Sequence, residues 1–317
     1  MSRMRVLVCG SNYARTYITA LAREPRKFQL VGILAQGSVR SQQLADLSGV
    51  PLYLSAGELP DNIDLACAAM SSAAFSVVRQ LIQRGMHVLC EHPYPASRLK
   101  EAMKLARKHG VQFQVNGHLA NLPAAQAFIR ECRQTNGRVY PELIDVMATE
   151  RSLYGALDIL MAAIGSRDSL RVQVLSRRTK FVLLEGTLGK IPVRLSVQVS
   201  GGKGAGRLAD GSPGYLLDQR LTVVFPAGSL ILLSMAGPVL WCSTPAHIEN
   251  NQKLWRILCD QQTQTVSTLR EERIQANVAS LNAIRRSILG HGTPEIQRPQ
   301  HILNVSRAWE SVGRQLH

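Results

Sequence analysis

The chain has 317 residues, of which 45% are hydrophobic, and it carries a formal net charge of +15. This length is enough for a well-buried core and favours two domains. No run of about 18 apolar residues occurs, so the sequence predicts no membrane-spanning helix. The first residues lead straight into a strand pattern without the anatomy of a signal peptide, so we expect a cytoplasmic protein.

The positive charge comes mostly from arginine and indicates an anionic partner, such as a phosphorylated cofactor, an acidic protein surface or nucleic acid. The basic residues are scattered and form no basic run interleaved with aromatic residues, which argues against nucleic acid. The six cysteines are far apart in the sequence, and no two of them form a Cys-x-x-Cys motif. We therefore expect neither a metal site nor a disulfide framework.

Residues 5–17 predict a strand, a tight turn and a helix, with the turn at Gly10. Such a turn lets the backbone approach a pyrophosphate and directs helix N–H groups at its charge. Only the first glycine of the usual Gly-x-Gly-x-x-Gly pattern is present, so an ordinary buried strand and turn is the alternative interpretation. The candidate cofactor contacts in this turn are Gly10, Ser11, Asn12, Tyr13 and Ala14.

The second predicted strand, residues 28–35, ends without a carboxylate, and the next one along the chain is Asp46. An NAD site usually places Asp or Glu here to bind the ribose 2′-hydroxyl. Ser38 and Ser41 offer hydroxyls instead, and Arg40 offers a planar cation suited to a 2′-phosphate. We therefore expect NADP(H). A capping serine and a solvated arginine form the alternative, which does not explain the missing carboxylate.

Strands and helices continue to alternate up to about residue 118, which predicts a doubly wound parallel sheet. The further strands are predicted at 52–53, 65–69, 86–90 and 111–115, and the helices at 41–48, 74–85 and 97–109. Ligands of such sheets bind beyond the carboxyl ends of the strands. The polar residues expected there are Ser71, Ser72, Glu91, His92, Asn116 and His118.

The pattern changes after His118, where long strands follow one another without intervening helices. We predict an NADP-binding Rossmann domain at 1–118 and an α+β domain at 119–317. The second domain is expected to contain an open, mainly antiparallel sheet that binds substrate and forms a dimer contact. A stretch rich in Gly and Ser, residues 200–214, predicts a mobile loop.

The tripeptide Glu91-His92-Pro93, together with the Rossmann pattern, resembles the glucose-fructose oxidoreductase/inositol dehydrogenase (Gfo/Idh/MocA) superfamily. More closely, most of the chain resembles the thiazolinyl imine reductases of siderophore biosynthesis. The segments that carry this resemblance are residues 34–41, 50–53, 87–93, 153–160 and 237–241. The resemblance implies NADPH-dependent reduction of a thiazoline C=N bond to a thiazolidine. The substrate would be a nonribosomal peptide intermediate bound to a carrier protein.

Two positions differ from the sugar dehydrogenases of the superfamily, which use the Lys of Glu-Lys-Pro and a second-domain His to move the proton of an alcohol. His92 and Gly155 stand at these positions. Imine reduction needs one acid, and His92 is our candidate because imidazole titrates near neutrality. His118 is the rival and Tyr154 a weaker one. The tyrosine that thiazoline reductases carry just after the Asn of this strand is missing after Asn116.

Glu91 is expected to cap or orient the cofactor loop. Two other functions compete with the imine reductase: a sugar or polyol oxidoreductase, which the missing Lys and His disfavour, and a non-catalytic NADP-binding sensor. The arginine excess suits an acidic carrier domain. The superfamily resemblance implies a homodimer formed through the antiparallel sheet.

Overall fold

The computed structural model describes residues 3–165, 168–178, 180–199, 219–247, 253–259 and 265–317. The predicted loop at 200–214 lies outside these residues. Within the described parts, no helix is both long and apolar enough to cross a membrane.

The backbone contacts divide the chain into two compact units. The first comprises Met1–His118 and Arg270–Leu303, and the second Leu119–Leu269 and Asn304–His317. The break after His118 coincides with the predicted domain boundary. Residues 270–303 were predicted to belong to the second domain. In the structure they pack with the first unit.

The first unit contains a six-stranded parallel sheet with the order β3-β2-β1-β4-β5-β6. Its strands are β1 Met4–Cys9, β2 Phe28–Leu34, β3 Leu52–Tyr53, β4 Leu65–Ala68, β5 His87–Cys90 and β6 Phe113–Val115. The predicted doubly wound sheet is confirmed. Continuous apolar runs form these strands because helices cover both faces of such a sheet.

The helices of the first unit are α1 Ala14–Ala22, α2 Val39–Ser48, α3 Phe75–Gln83, α4 Ala96–Lys108 and, from Arg270 onward, α7 Val266–Ile288. Helix α7 buries Val278, Leu281 and Ile284 in the same hydrophobic cluster as β1 and α1. Burial of one such side chain stabilises the fold by about 1.5–3 kcal/mol. This packing explains why α7 belongs to the first unit.

The second unit contains an eight-stranded sheet with the order β14-β13-β12-β11-β7-β10-β9-β8. Among the described strands, β7 and β10 pair in parallel and the other pairs are antiparallel. The strands are β7 Leu143–Thr149, β8 Leu170–Arg177, β9 Phe181–Leu188, β10 Ile191–Gln198, β11 Gln219–Phe225, β12 Gly228–Leu232, β13 Val239–Ser243 and β14 Trp255–Cys259. The predicted mainly antiparallel sheet is confirmed, and β14 was not predicted.

Helices α5 (Pro123–Asn136) and α6 (Leu153–Ile164) pack together and contact this sheet. Strand β10 alternates buried residues such as Val193 with exposed residues such as Arg194, as expected for a sheet covered on one face. The last helix, α8 (Pro299–Leu316), belongs to the second unit from Asn304 onward.

Candidate functional site

The turn after β1 requires glycine at position 10. Gly10 has a φ of +102°, and a Cβ atom there would collide with the carbonyl oxygen of Ala69. Helix α1 follows without a side-chain cap at Tyr13 and without an acidic residue in its first turn. Its first N–H groups are therefore suited to a phosphate. Ser11 is half-buried beside this turn, and Asn12 is exposed.

The end of β2 is shaped by the cap of α2, which starts at Val39, two residues earlier than predicted. Ser38 is the N-cap residue, and its Oγ accepts a hydrogen bond from the Ser41 backbone N–H at 3.3 Å. Ser41 is fully buried and donates its hydroxyl to the Ser38 carbonyl oxygen at 2.7 Å. The Ser41 hydroxyl therefore takes part in the helix cap, and Ser41 remains a prediction among the candidate cofactor contacts. Ser38 is exposed and stays among them.

Arg40 connects the ends of the first two strands. Its Nε donates to Ser11 Oγ at 3.2 Å, while the side chain lies at an exposed position. The closest following acid, Asp46, lies two turns further along α2 and accepts a hydrogen bond from Gln42 at 2.9 Å. The end of β2 thus presents a guanidinium group rather than a carboxylate.

Ser71 and Ser72 follow β4. The Ser71 side chain is exposed, and its carbonyl oxygen accepts a hydrogen bond from Tyr94 Oη at 3.2 Å. Ser72 begins a short 3-10 helix, Ser72–Ala74, and its side chain lies outside the described part of the chain. The structure therefore places both residues at the predicted strand end.

Glu91, directly after β5, is the centre of a polar cluster. Its Oε2 accepts hydrogen bonds from Tyr17 Oη at 2.9 Å and Asn116 Nδ2 at 3.2 Å, and its Oε1 lies 3.2 Å from His92 Nδ1. Burial alone would raise the pKa of Glu91. The hydrogen bond and charge of His92, the charge that His118 carries in acid and the Tyr17 bond outweigh burial and lower the pKa of Glu91. Glu91 is therefore a carboxylate at neutral pH.

A hydrogen bond shows which ring nitrogen of His92 carries a proton. Its Nδ1 lies 2.8 Å from the carbonyl oxygen of Asn116. A carbonyl oxygen only accepts, so the proton sits on Nδ1, and a second proton would have to bind at Nε2. The side chain is 12% exposed, and the His92–Pro93 bond is cis.

His118 follows β6 and is 3% exposed. Tyr13 Oη lies 3.0 Å from its Nε2 and 3.4 Å from its Nδ1, and Glu91 Oε1 lies 3.8 Å from Nδ1. Burial lowers the pKa of His118 to about 4, against the opposing effect of the Glu91 charge, with further lowering by His92 and Arg273. His118 is thus a neutral imidazole at pH 7.

Asn277 on α7 belongs to this cluster and was not predicted from the sequence. Its Oδ1 accepts from Asn116 Nδ2 at 2.9 Å, and its Nδ2 donates to the Arg273 carbonyl oxygen at 2.7 Å. Asn116 also donates to Tyr17 Oη at 2.7 Å. Both asparagine side chains are fully buried. One signal was available: Asn277 is a polar residue among buried apolar positions of a helix.

Glu91, His92 and His118 also present one ligand atom each within 4.8 Å of one another, the reach of one metal ion. His92 Nδ1 carries a proton that is donated to the Asn116 carbonyl, so this nitrogen cannot ligate a metal in the observed ring orientation. We therefore interpret the cluster as a hydrogen-bonded network.

Comparison with known families separates the chain into two parts. Residues 4–117 match the oxidoreductase family with an NAD-binding Rossmann fold, Gfo/Idh/MocA, and residues 140–242 match the C-terminal domain described as thiazolinyl imine reductase Irp3-like. The chain joins a Gfo/Idh/MocA domain to an Irp3-like domain. The family resemblance stated from the sequence is confirmed, and residues 4–117 form a Rossmann domain of an NAD(P)-binding oxidoreductase family.

Solved structures match nearly the whole chain at low sequence identity. UDP-N-acetylglucosamine 3-dehydrogenase from Acidithiobacillus ferrooxidans has a TM-score of 0.72 at 15% identity, covering 99% of this chain and 98% of its own. Biliverdin reductase from Synechocystis, bound to biliverdin and NADP+, has a TM-score of 0.70 at 15% identity, with the same coverage. Levoglucosan dehydrogenase, bound to NADH and levoglucosan, has a TM-score of 0.74 at 10% identity, covering 99% and 97%. These similarities show the fold alone.

No curated protein sequence matches the chain significantly.

Tyr154 and Gly155 lie at the start of α6, within the part of the second unit that matches the Irp3-like domain. Tyr154 is 4% exposed. A Cβ atom at Gly155 would collide with the side chain of Leu119 in the same unit. A histidine therefore does not fit at Gly155 unless Leu119 moves, which agrees with the departure from the sugar dehydrogenases noted in the sequence.

Proposed function

We propose that this chain uses NADPH to reduce the C=N bond of a thiazoline ring to a thiazolidine. The substrate would be a nonribosomal peptide intermediate of siderophore biosynthesis, held on a carrier protein. The observation that carries this proposal is the combination of an NAD(P)-binding Rossmann domain with an Irp3-like C-terminal domain in one chain. The imidazoles around Glu91 support it, because imine reduction needs a single proton at nitrogen.

The residues around the first turn would hold the coenzyme. The Gly10 turn and the uncapped start of α1 would bind the pyrophosphate. Arg40, steadied by Ser11, and the exposed Ser38 would bind the 2′-phosphate, which favours NADPH over NADH. When bound, the nicotinamide supplies the hydride that reduces the carbon of the C=N bond.

The polar cluster around Glu91 would supply the proton that the imine nitrogen takes up. Glu91 is ionised and contacts His92 Nδ1, which fixes the orientation of the ring. In this role Glu91 is a positioning residue. His92 and His118, the acid candidates from the sequence, are the imidazoles next to Glu91 in this cluster. Tyr154 stays the weaker candidate from the sequence, and its side chain is 4% exposed in the second unit.

The partner and the assembly follow from charge and fold type. A net charge of +15 suits the acidic surface of a carrier domain, so we expect turnover with a carrier-bound substrate to fall as salt rises. We also propose a homodimer through the open face of the eight-stranded sheet, where Arg194 and Arg220 are exposed.

The test follows NADPH absorbance with a thiazoline thioester mimic and with a panel of sugars and polyols. We expect NADPH oxidation with the thiazoline only. NADP+ reduction by a polyol would instead identify a sugar oxidoreductase. Tight NADPH binding without turnover of any substrate would favour a sensor. Either of these two results would overturn the imine reductase proposal.

A further inference from the structure

Tyr13 reaches from the first turn into the polar cluster. It is the N-cap residue of α1, and its ring packs edge-on against Tyr17 and lies beside His118, with centroid distances of 5.8 and 5.6 Å. Its side chain is half-buried, whereas Tyr17 and His118 are buried. Tyr13 therefore connects the coenzyme turn with the buried imidazole.

Two nitrogen groups lie near the Tyr13 hydroxyl. His118 Nε2 lies 3.0 Å away and Asn277 Nδ2 lies 3.4 Å away. The amide nitrogen can only donate, and the imidazole nitrogen donates when it carries the proton. Donation from these two groups stabilises a Tyr13 phenolate against the unfavourable effects of burial and of the Glu91 charge.

We propose that Tyr13 is the catalytic proton donor to the imine nitrogen, with His118 and Asn277 holding the resulting phenolate. This inference rests on the proposed imine reduction and names the acid that the function requires. It assigns Tyr13 a chemical role beyond the cofactor contact predicted from the sequence.

The other imidazole and hydroxyl groups of this cluster already have hydrogen-bond partners. His92 donates its Nδ1 proton to the Asn116 carbonyl oxygen. His118 is 3% exposed and neutral at pH 7, because burial lowers its pKa. Tyr17 is fully buried and donates to Glu91.

Tyr13 keeps its proton at neutral pH. Burial and the Glu91 charge raise the pKa of its hydroxyl, which outweighs the lowering by Asn277 and Arg273. The hydroxyl therefore enters the reaction protonated, and the hydrogen bond from Asn277 opposes the rise in its pKa.

The step balances with water as the final proton source. The imine nitrogen takes up the π electron pair of the C=N bond as hydride reaches the carbon. The Tyr13 O–H bond breaks, a new N–H bond forms, and the oxygen keeps the electron pair of the broken bond. His118 and Asn277 donate to this oxygen until water returns a proton to it.

The experiment compares Tyr13→Phe with Tyr53→Phe, which removes a hydroxyl from β3 of the same unit. We expect Tyr13→Phe to slow single-turnover hydride transfer by about 10²–10⁴-fold, the contribution of a positioned acid, with NADPH affinity within about threefold of wild type. The control variant is expected to match wild type in both. Thermal unfolding checks that each variant folds.

A second readout needs no turnover. In the ¹⁵N-labelled free enzyme, the His118 Nε2 resonance, identified by its loss in His118→Gln, should move in Tyr13→Phe and stay in place in Tyr53→Phe.

The inference is overturned if Tyr13→Phe transfers hydride within about threefold of wild type, if it loses NADPH affinity in parallel with the rate, or if the His118 resonance does not move. Failure of the proposed function looks different. In that case the wild-type enzyme oxidises no NADPH with the thiazoline, while the resonance of the free enzyme still reports the Tyr13–His118 contact.

Discussion

We expect Arg40→Ala to remove the proposed preference for NADPH, so that NADPH and NADH bind with nearly equal affinity. Arg40 is exposed and already donates through Nε to Ser11 Oγ at 3.2 Å, so its terminal nitrogens are placed to bind a phosphate. A hydrogen bond to a charged group contributes about 1.5–3 kcal/mol, and exposure to solvent favours the lower half of that range. We therefore expect NADPH affinity to fall by about 10- to 30-fold, since 1.4 kcal/mol is tenfold. NADH affinity should change little, because NADH lacks the phosphate.

Titration calorimetry with both coenzymes checks this prediction. Arg107→Ala is the matched control, since it removes one exposed arginine from α4 of the same unit and lowers the net charge equally. Raising the salt should shrink the difference between wild type and Arg40→Ala, because exposed charges are screened. The reasoning is refuted if Arg40→Ala keeps its NADPH affinity, or if NADH affinity falls by the same factor.

Three further variants test the site by stability and pH. Gly10→Ala places a Cβ against the Ala69 carbonyl at a φ of +102°, so we expect a loss of about 1–3 kcal/mol in urea unfolding and weaker NADPH binding; an unchanged midpoint would contradict this. Asn277→Leu removes the bonds to Asn116 and the Arg273 carbonyl and should cost about 1–3 kcal/mol by the same assay, and a neutral effect would show that these bonds contribute nothing. The pKa of His118 lies at about 4 in the folded chain, below its ordinary value, so the unfolded chain binds more protons and stability should fall from about pH 6.5 to about pH 4. His118→Gln should reduce that fall, and an identical pH dependence would refute the assignment.

The sequence predicted the parts of the fold and site that depend on local pattern. Apolar runs that alternate with helical segments predict the parallel sheet, and its topology brings the strand ends to one edge. The predicted residues Glu91, His92, Asn116 and His118 are therefore found in one cluster. The absence of a carboxylate after β2 likewise led to the prediction of a phosphate site at Arg40. In the structure, Arg40 donates a hydrogen bond to Ser11 at that edge of the sheet.

Long-range packing could not be predicted in the same way. Asn277 is separated from Asn116 by 161 residues, and no local pattern indicates that α7 returns to the first unit. The Tyr13–His118 contact depends on how the first turn enters α1, which the incomplete glycine motif does not define. The cap bond of the Ser41 hydroxyl was not predicted, because α2 starts at Val39, two residues before the predicted helix start.

Isotope transfer tests the central claim most directly. The enzyme is given a thiazoline thioester and NADPH that carries deuterium at C4 of the nicotinamide, on one face or the other. We predict that one of the two labelled coenzymes yields a thiazolidine with a single deuterium at the former C=N carbon, detected by mass spectrometry and NMR. A product without deuterium from either coenzyme, or no thiazolidine at all, would contradict the account.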